Sequence, residues 1–236
     1  MPAPTNYHAQ TLFIDADDTL WENNIYFERA IANFISFLNH HEYSPGQVRD
    51  VLNQVERESI LLHGYGVHSF AHALVTTFEK LAIEPLTPAL HETIHGFAHT
   101  IAAHPVEVIA GVPDTLQYLS QRHNLILMTK GVIAEQSGKI ERSGLKDYFS
   151  GIEIVAEKDA PAYRSMVTKY CLPADSTWMV GNSPKSDINP ALAAGINAVL
   201  VFHGDTWILE RDEVIEPQPP KRLLRIETFG ELRQHF

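Results

Sequence analysis

Five short apolar runs limit what this chain can fold into. They lie at residues 11–15 (TLFID), 125–129 (LILMT), 152–156 (IEIVA), 177–181 (TWMVG) and 198–202 (AVLVF). Runs of this length and composition suit strands buried on both faces. From the second run onward, segments with helical patterning separate them, at residues 133–143, 162–171 and 184–194, and residues 116–119 precede LILMT. Strands alternating with helices of this length predict a doubly wound, Rossmann-like α/β core built on a parallel sheet. A sixth strand at residues 223–226 and a terminal helix are expected to complete it, after a short stiff connection at 216–220 (EPQPP).

One interval breaks this rhythm. Asp15 and Thr129 are 114 positions apart, whereas a strand–helix–strand unit needs only ~30 residues. The excess carries helical spacing. Phe27, Ala30, Ile31, Phe34, Ile35 and Leu38 recur at i, i+3, i+4, i+7, i+8 and i+11, and Val67, Phe70, Ala71, Leu74, Val75, Phe78 and Leu81 repeat the pattern. Shorter stripes run through Val48, Val51, Leu52 and Val55 and through Leu90, Ile94, Phe97, Ala98 and Ile101. Four amphipathic helices in succession can bury their stripes against one another. The expected organisation is therefore a core of residues 1–20 and 106–236 with a helical domain, 21–105, inserted after the first strand.

Open parallel sheets bind ligands at the carboxyl ends of their strands. Here the first strand ends in Asp15-Ala16-Asp17-Asp18-Thr19 and the second in Thr129-Lys130-Gly131. Glu157-Lys158 follows the third, and Gly181-Asn182-Ser183-Pro184-Lys185-Ser186-Asp187 the fourth. Carboxylates, a hydroxyl and a lysine thus converge on one rim. An Asp/Thr-rich turn alone also suits a solvated helix cap, so the argument rests on the four segments together.

These segments resemble the haloacid dehalogenase superfamily of phosphohydrolases, over nearly the whole chain. A hydrophobic strand followed by Asp15-x-Asp17-x-Thr19 matches its first motif, Thr129 its second and Lys158 its third. The stretch from Gly181 to Asp187 is similar to the fourth, with Asn182 in place of the first of two acidic residues. The inserted helices look like the family's first type of cap. The resemblance implies Mg²⁺ held by the Asp15 carboxylate, the Asp17 backbone carbonyl and Asp187, with Asn182 as a further candidate metal residue. It implies Asp15 as nucleophile forming an aspartyl-phosphate, Asp17 as acid and then base, Thr129 as hydrogen-bond donor to the transferring group, and Lys158 as charge neutraliser. Thr19, Lys130, Gly131 and Trp21 are expected to line the substrate site. Lys130 and Lys185 rival Lys158, which is followed by Asp159-Ala160-Pro161 where the family often has proline directly.

The implied reaction is Mg²⁺-dependent hydrolysis of a small phosphorylated metabolite. A haloacid dehalogenase, a phosphomutase and a non-catalytic binding protein on the same scaffold stay open as alternatives. Asp17 favours the phosphatase over the dehalogenase, which shares the nucleophile without using a second aspartate as acid/base.

Composition narrows the partners. Acidic residues outnumber basic ones 29 to 18, for a formal charge of −11, which argues against nucleic acid or an anionic membrane as a bulk partner. No apolar stretch approaches the ~18 residues of a bilayer span, and Met1–Asn6 shows no basic segment leading into an apolar run, so a cytoplasmic location is expected. Cys171 is the single cysteine. His91, His95 and His99 share one helix face and read as a solvated or partly packed surface. The glycines at 131 and 138, ahead of Lys139-Ile140, fail as a phosphate-binding loop because the spacing is too long and Ile140 replaces Ser/Thr.

Overall fold

The computed structural model describes residues 9–38 and 42–236; the segment Met1–Asn6 lies outside them. The chain forms two compact units, one of Met1–Glu22 and Val106–Phe236 and one of Asn23–Pro105. Among the described residues no helix is long and apolar enough to cross a membrane.

The first unit is built on a six-stranded, all-parallel sheet. In chain order the strands are β1 (Thr11–Ile14), β2 (Asn124–Lys130), β3 (Gly151–Val155), β4 (Thr177–Gly181), β5 (Asn197–Val201) and β6 (Leu223–Ile226). They lie side by side as β3-β2-β1-β4-β5-β6. β1 is central: Phe13 pairs with Ile126 on one side and Met179 on the other. The chain builds outward from β1 to β3, then crosses back to start β4 on the other side. The crevice between β1 and β4 is thus the switch point at which such sheets bind ligands.

Alternation along each strand sorts its side chains to two faces. Leu12, Ile14, Leu125, Leu127, Trp178, Val180, Val199 and Val201 join one buried cluster. Phe13, Ile126, Met128 and Met179 join the other, with Tyr163 and Ile196. Both faces are dry because helices cover them: α5 (Val112–Ser120) and α6 (Ile133–Ser143) supply Leu116, Leu119 and Ile140 to the first cluster. α7 (Ala160–Lys169) and α8 (Asn189–Ala194) supply Tyr163 and Ala191 to the second.

The second unit consists of α1 (Asn24–Leu38), α2 (Pro45–His63), α3 (Val67–Leu81) and α4 (Pro88–Ala103). Its core is its own, formed by Ala30, Ile31, Phe34, Leu52, Phe70, Leu74, Phe78, Ile94 and Ala98 among others. Ser44 caps α2 reciprocally with Gln47, and Thr87 caps α4, which satisfies amide donors that a helix start leaves open. The unit begins at Asn23 and not at Trp21, because Trp21 bridges to Val108 and the Glu22 amide donates to the Glu107 carbonyl.

Three elements depart from the sequence reading. The segment expected as one helix over 184–194 is a π-helical turn, Pro184–Ile188, followed by α8. The helix expected to reach Cys171 stops at Lys169, and Cys171 takes a left-handed φ of 51°. The terminal helix is a 3-10 segment, Phe229–Gln234.

Candidate active site

Asp15 is the first residue past β1. Its amide donates to the Val180 carbonyl at 2.9 Å, so the ladder between β1 and β4 continues through it and fixes its direction. The carboxylate is buried. Burial and the neighbouring Asp187 carboxylate push its pKa up to about 7, against the opposing pull of Lys158.

Asp187 comes from the π-helical turn after β4 and is fully buried. Its Oδ2 accepts from the Ser183 amide at 2.9 Å. Gly181 makes room for it: a Cβ there would lie 2.2 Å from Asp187 Oδ2. Lys158, also buried, reaches both acids. Its ammonium is 2.6 Å from Asp187 Oδ1 and hydrogen-bonds Asp15 Oδ1. Burial alone would lower the lysine pKa, but the two carboxylates overcome that and hold it raised. The residue that follows, Asp159, caps α7 by accepting from the Ala162 amide at 2.8 Å. The Asp-Ala-Pro that separates this lysine from the usual Lys-Pro pattern is therefore a helix start, and it places Lys158 at the rim. Of the three candidate lysines, only Lys158 contacts Asp15: Lys185 donates to the Leu209 carbonyl.

Lys130 also has its partners within the structure. Its ammonium pairs with the buried Glu210 at 2.6 Å and donates to Ser186 Oγ at 2.7 Å. A largely buried ammonium needs a counter-charge, and Glu210 provides it, so Lys130 braces β2 against the loop after β5. Trp21 is 1% exposed, and its Nε1 donates to Asp17 Oδ1 at 2.7 Å, so it holds Asp17. The Gly131 amide is committed to the Val155 carbonyl, and its φ of 134° suits glycine.

Asp17 is the most heavily held of the site's acids. Lys139 Nζ lies 2.6 and 2.7 Å from its two oxygens, and Gln136 Nε2 donates to Oδ2 at 2.9 Å. Burial would raise its pKa, but Lys139, Gln136 and Trp21 together hold it below the ordinary carboxylate value. The same Gln136 amide nitrogen is 3.0 Å from Thr129 Oγ1 and 2.8 Å from the Lys130 carbonyl. Thr19 Oγ1 lies 3.3 Å from both Asp15 Oδ2 and Asn182 Oδ1, and Asn182 Nδ2 donates to Thr206 Oγ1. Asn182 thus presents its oxygen toward Thr19 and is anchored from behind. Asp18, in the left-handed region at φ 58°, belongs to the turn.

The sequence reading does not single out Gln136, and it weighs Lys139 only within a phosphate-binding loop that it rejects. Their signal was available: both stand on α6, one turn apart, just past the second strand's rim. Glu210 and Thr206 lie in the irregular stretch after β5, where no periodicity marks them.

The donor set suits a hard divalent cation. Two buried carboxylates share one ammonium, so with both ionised the dry site carries one negative charge in excess, and the available atoms are oxygens, the ligands that Mg²⁺ prefers. Asp15 and Asp187 would hold such an ion with the Asp17 carbonyl. A separate trio, Asp18, Glu22 and His203, also brings possible ligand atoms within 4.8 Å of one another.

Comparison with known proteins gives the family and the fold. Residues 9–195 match the family model described as haloacid dehalogenase-like hydrolase. A haloacid dehalogenase-like family hydrolase from Xanthomonas campestris is 28% identical, with a TM-score of 0.81 over 96% of this chain and 94% of that one. A HAD-hydrolase from Bacillus subtilis, YfnB, bound to magnesium, is 17% identical, with a TM-score of 0.68 over 97% and 98% of the two chains. More distant matches of the same fold include a predicted phosphoglycolate phosphatase, L-2-haloacid dehalogenases and a β-phosphoglucomutase. Among curated proteins there is no sequence match.

Proposed function

Because the chain belongs to the haloacid dehalogenase-like hydrolases, we propose that it hydrolyses small phosphomonoesters with Asp15 as the phosphoryl acceptor. The observation that carries this reading is a pair of carboxylates, two residues apart, kept in different environments. Asp15 is buried against Lys158, and Asp17 is held at the rim by Lys139 and Gln136. Two carboxylates with divided environments can divide nucleophile and acid/base roles.

In this scheme an Asp15 oxygen attacks phosphorus, the bond from phosphorus to the ester oxygen breaks, and that oxygen takes a proton from Asp17. Water then attacks the aspartyl-phosphate, Asp17 takes the water's proton, and the bond to Asp15 breaks to release phosphate and restore the carboxylate. Lys158 offsets charge on Asp15 and the phosphoryl oxygens, and Thr129 donates to the transferring group. Mg²⁺, held by Asp15, Asp187 and the Asp17 carbonyl, would supply charge neutralisation for an anionic substrate; the magnesium-bound fold relative supports this choice. Asn182 leaves that ligand set one charge short, so modest Mg²⁺ affinity is expected. We read the helical unit as a cap that selects the leaving group.

One observation favours a second reading. In its pair with Lys139, Asp17 is held as a carboxylate, the form that activates water but cannot protonate a leaving oxygen until that pair opens. A dehalogenase would need no such proton, and enzymes of that activity share the fold. Turnover of an aryl phosphate with Mg²⁺, with EDTA, and in Asp15→Asn separates the two. Mg²⁺-dependent phosphate release lost in Asp15→Asn supports the phosphatase; release of halide from a 2-haloacid without metal would replace it.

A further inference from the structure

The stretch after β5 carries no motif, yet it holds the segment after β4 by three side chains. Asn182 Nδ2 donates to Thr206 Oγ1 at 3.1 Å, Ser183 Oγ to Glu210 Oε2 at 2.6 Å, and Lys185 Nζ to the Leu209 carbonyl at 3.0 Å. Among these partners Glu210 alone is charged, and it is buried. Burial would raise its pKa, but Lys130, Ser183 and Ser186 hold it below the ordinary carboxylate value. The carboxylate is gripped at both oxygens, Oε1 by the Lys130 ammonium at 2.6 Å and Oε2 by the Ser183 hydroxyl.

Both grips lead to Asp187. The Ser183 hydroxyl that donates to Glu210 accepts from the Ser186 amide at 2.9 Å, and the Ser183 amide donates to Asp187 Oδ2 at 2.9 Å. On the other side, the Lys130 ammonium that pairs with Glu210 also donates to Ser186 Oγ at 2.7 Å. The π-helical turn that carries Asp187 is therefore fastened at Ser183 and Ser186, and the Ile188 amide closes it on the Ser183 carbonyl at 3.1 Å. Such turns are rare and occur mostly at functional sites. A buried ion pair adds little net stability over apolar packing, so the use of the Lys130–Glu210 pair lies in the geometry that it imposes.

We propose that Glu210 is a positioning residue for the metal site: through Ser183, and with Lys130 through Ser186, its carboxylate sets the direction of Asp187 and thereby the affinity of the rim for Mg²⁺. Glu210 itself contributes no ligand, because its two oxygens are committed to Lys130 and Ser183. A carboxylate ligand held by its own hydrogen-bonded neighbours needs less reorganisation when the ion arrives. The proposal rests on the reading of Asp187 as a Mg²⁺ ligand.

The test titrates Mg²⁺ into the full-length chain by calorimetry, in the unaltered protein, Glu210→Gln and Ser183→Ala. Leu232→Ala, a core substitution in the terminal 3-10 segment, serves as a control for general loosening. The Mg²⁺ dissociation constant is expected to rise about tenfold or more in the first two variants and to stay within about threefold in the control. In turnover of an aryl phosphate the same change should appear as a higher Mg²⁺ requirement with kcat at saturating Mg²⁺ retained, a split that mere loss of structure does not produce. Unchanged Mg²⁺ affinity in Glu210→Gln and Ser183→Ala overturns this proposal alone, and so does an equal weakening in Leu232→Ala. Absence of Mg²⁺ binding to the unaltered protein, or affinity unchanged in Asp187→Asn, overturns the metal reading and this proposal with it. If Glu210→Gln loses its native circular dichroism, Ser183→Ala decides by the same titration.

Discussion

One ammonium serves two acids: Lys158 Nζ sits 2.6 Å from Asp187 Oδ1 while it hydrogen-bonds Asp15 Oδ1. Each of the three residues comes from a different strand end, and all are buried, so removal of the lysine leaves two adjacent carboxylates in a dry site. Lys158→Met is expected to abolish the proposed phosphatase activity and to lower stability by about 3 kcal/mol or more without Mg²⁺, the range for breaking a buried pair. Added Mg²⁺ should recover much of that stability but no turnover. Thermal unfolding with and without Mg²⁺, beside an activity assay, checks both halves.

Gly181 owes its identity to a neighbour. The Asp187 carboxylate occupies the space where a side chain at 181 would begin, so Gly181→Ala forces that carboxylate aside. The expected result is an apparent Mg²⁺ affinity weakened by about tenfold to a hundredfold with the fold retained. Activity titrated against Mg²⁺ measures it, and Asp187→Asn should show the same direction more strongly.

The clamp on Asp17 sets a pH dependence. Lys139, Gln136 and Trp21 hold its folded pKa below the unfolded value, so the carboxylate stays ionised, and the stability it contributes persists, until the pH falls through that lowered value. Lys139→Met removes the strongest of these partners. The ascending limb of the kcat/KM profile for an aryl phosphate should then move to higher pH, because in the proposed scheme Asp17 must be ionised to activate water. The effect of Lys139→Met on kcat should depend on leaving-group basicity, which a mere loss of folding would not produce.

A second pH effect belongs to the helical unit. Glu56 on α2 is buried, and burial pushes its pKa from 4.5 up to about 7, Arg49 opposing and Glu28 adding to it. A carboxyl with a raised folded pKa binds its proton more tightly when folded. Stability is therefore lost as the pH climbs from about 4.5 to about 7, by roughly 3 kcal/mol at most. Glu56→Gln should remove that slope, seen as unfolding midpoints that differ less between pH 5 and pH 7 than in the unaltered protein.

The architecture was legible because strands buried on both faces and amphipathic helices write different periods into a sequence. All six strands fall within a residue of where the apolar runs place them, and α6 begins and ends at the expected residues. Departures come where local hydrogen bonding overrides periodicity, as at 184–188, where Ser183 and Asp187 organise a π-turn. At the rim, charged residues at apolar strand ends stand out in the sequence, and the structure brings three of them, Asp15, Lys158 and Asp187, into contact. The pairing of Lys130 with Glu210 becomes visible only once segments 80 residues apart meet. Gln136 and Lys139 were hidden for a different reason: a polar helix face looks solvated until a carboxylate is found opposite it.

The account turns on a covalent bond to residue 15. Acid quenching of the enzyme during turnover of a phosphomonoester with Mg²⁺, followed by peptide mass spectrometry, reads that bond directly. A phosphoryl adduct on Asp15, absent in Asp15→Asn, is the predicted result. An adduct on another residue, or phosphate release undiminished in Asp15→Asn, would contradict it.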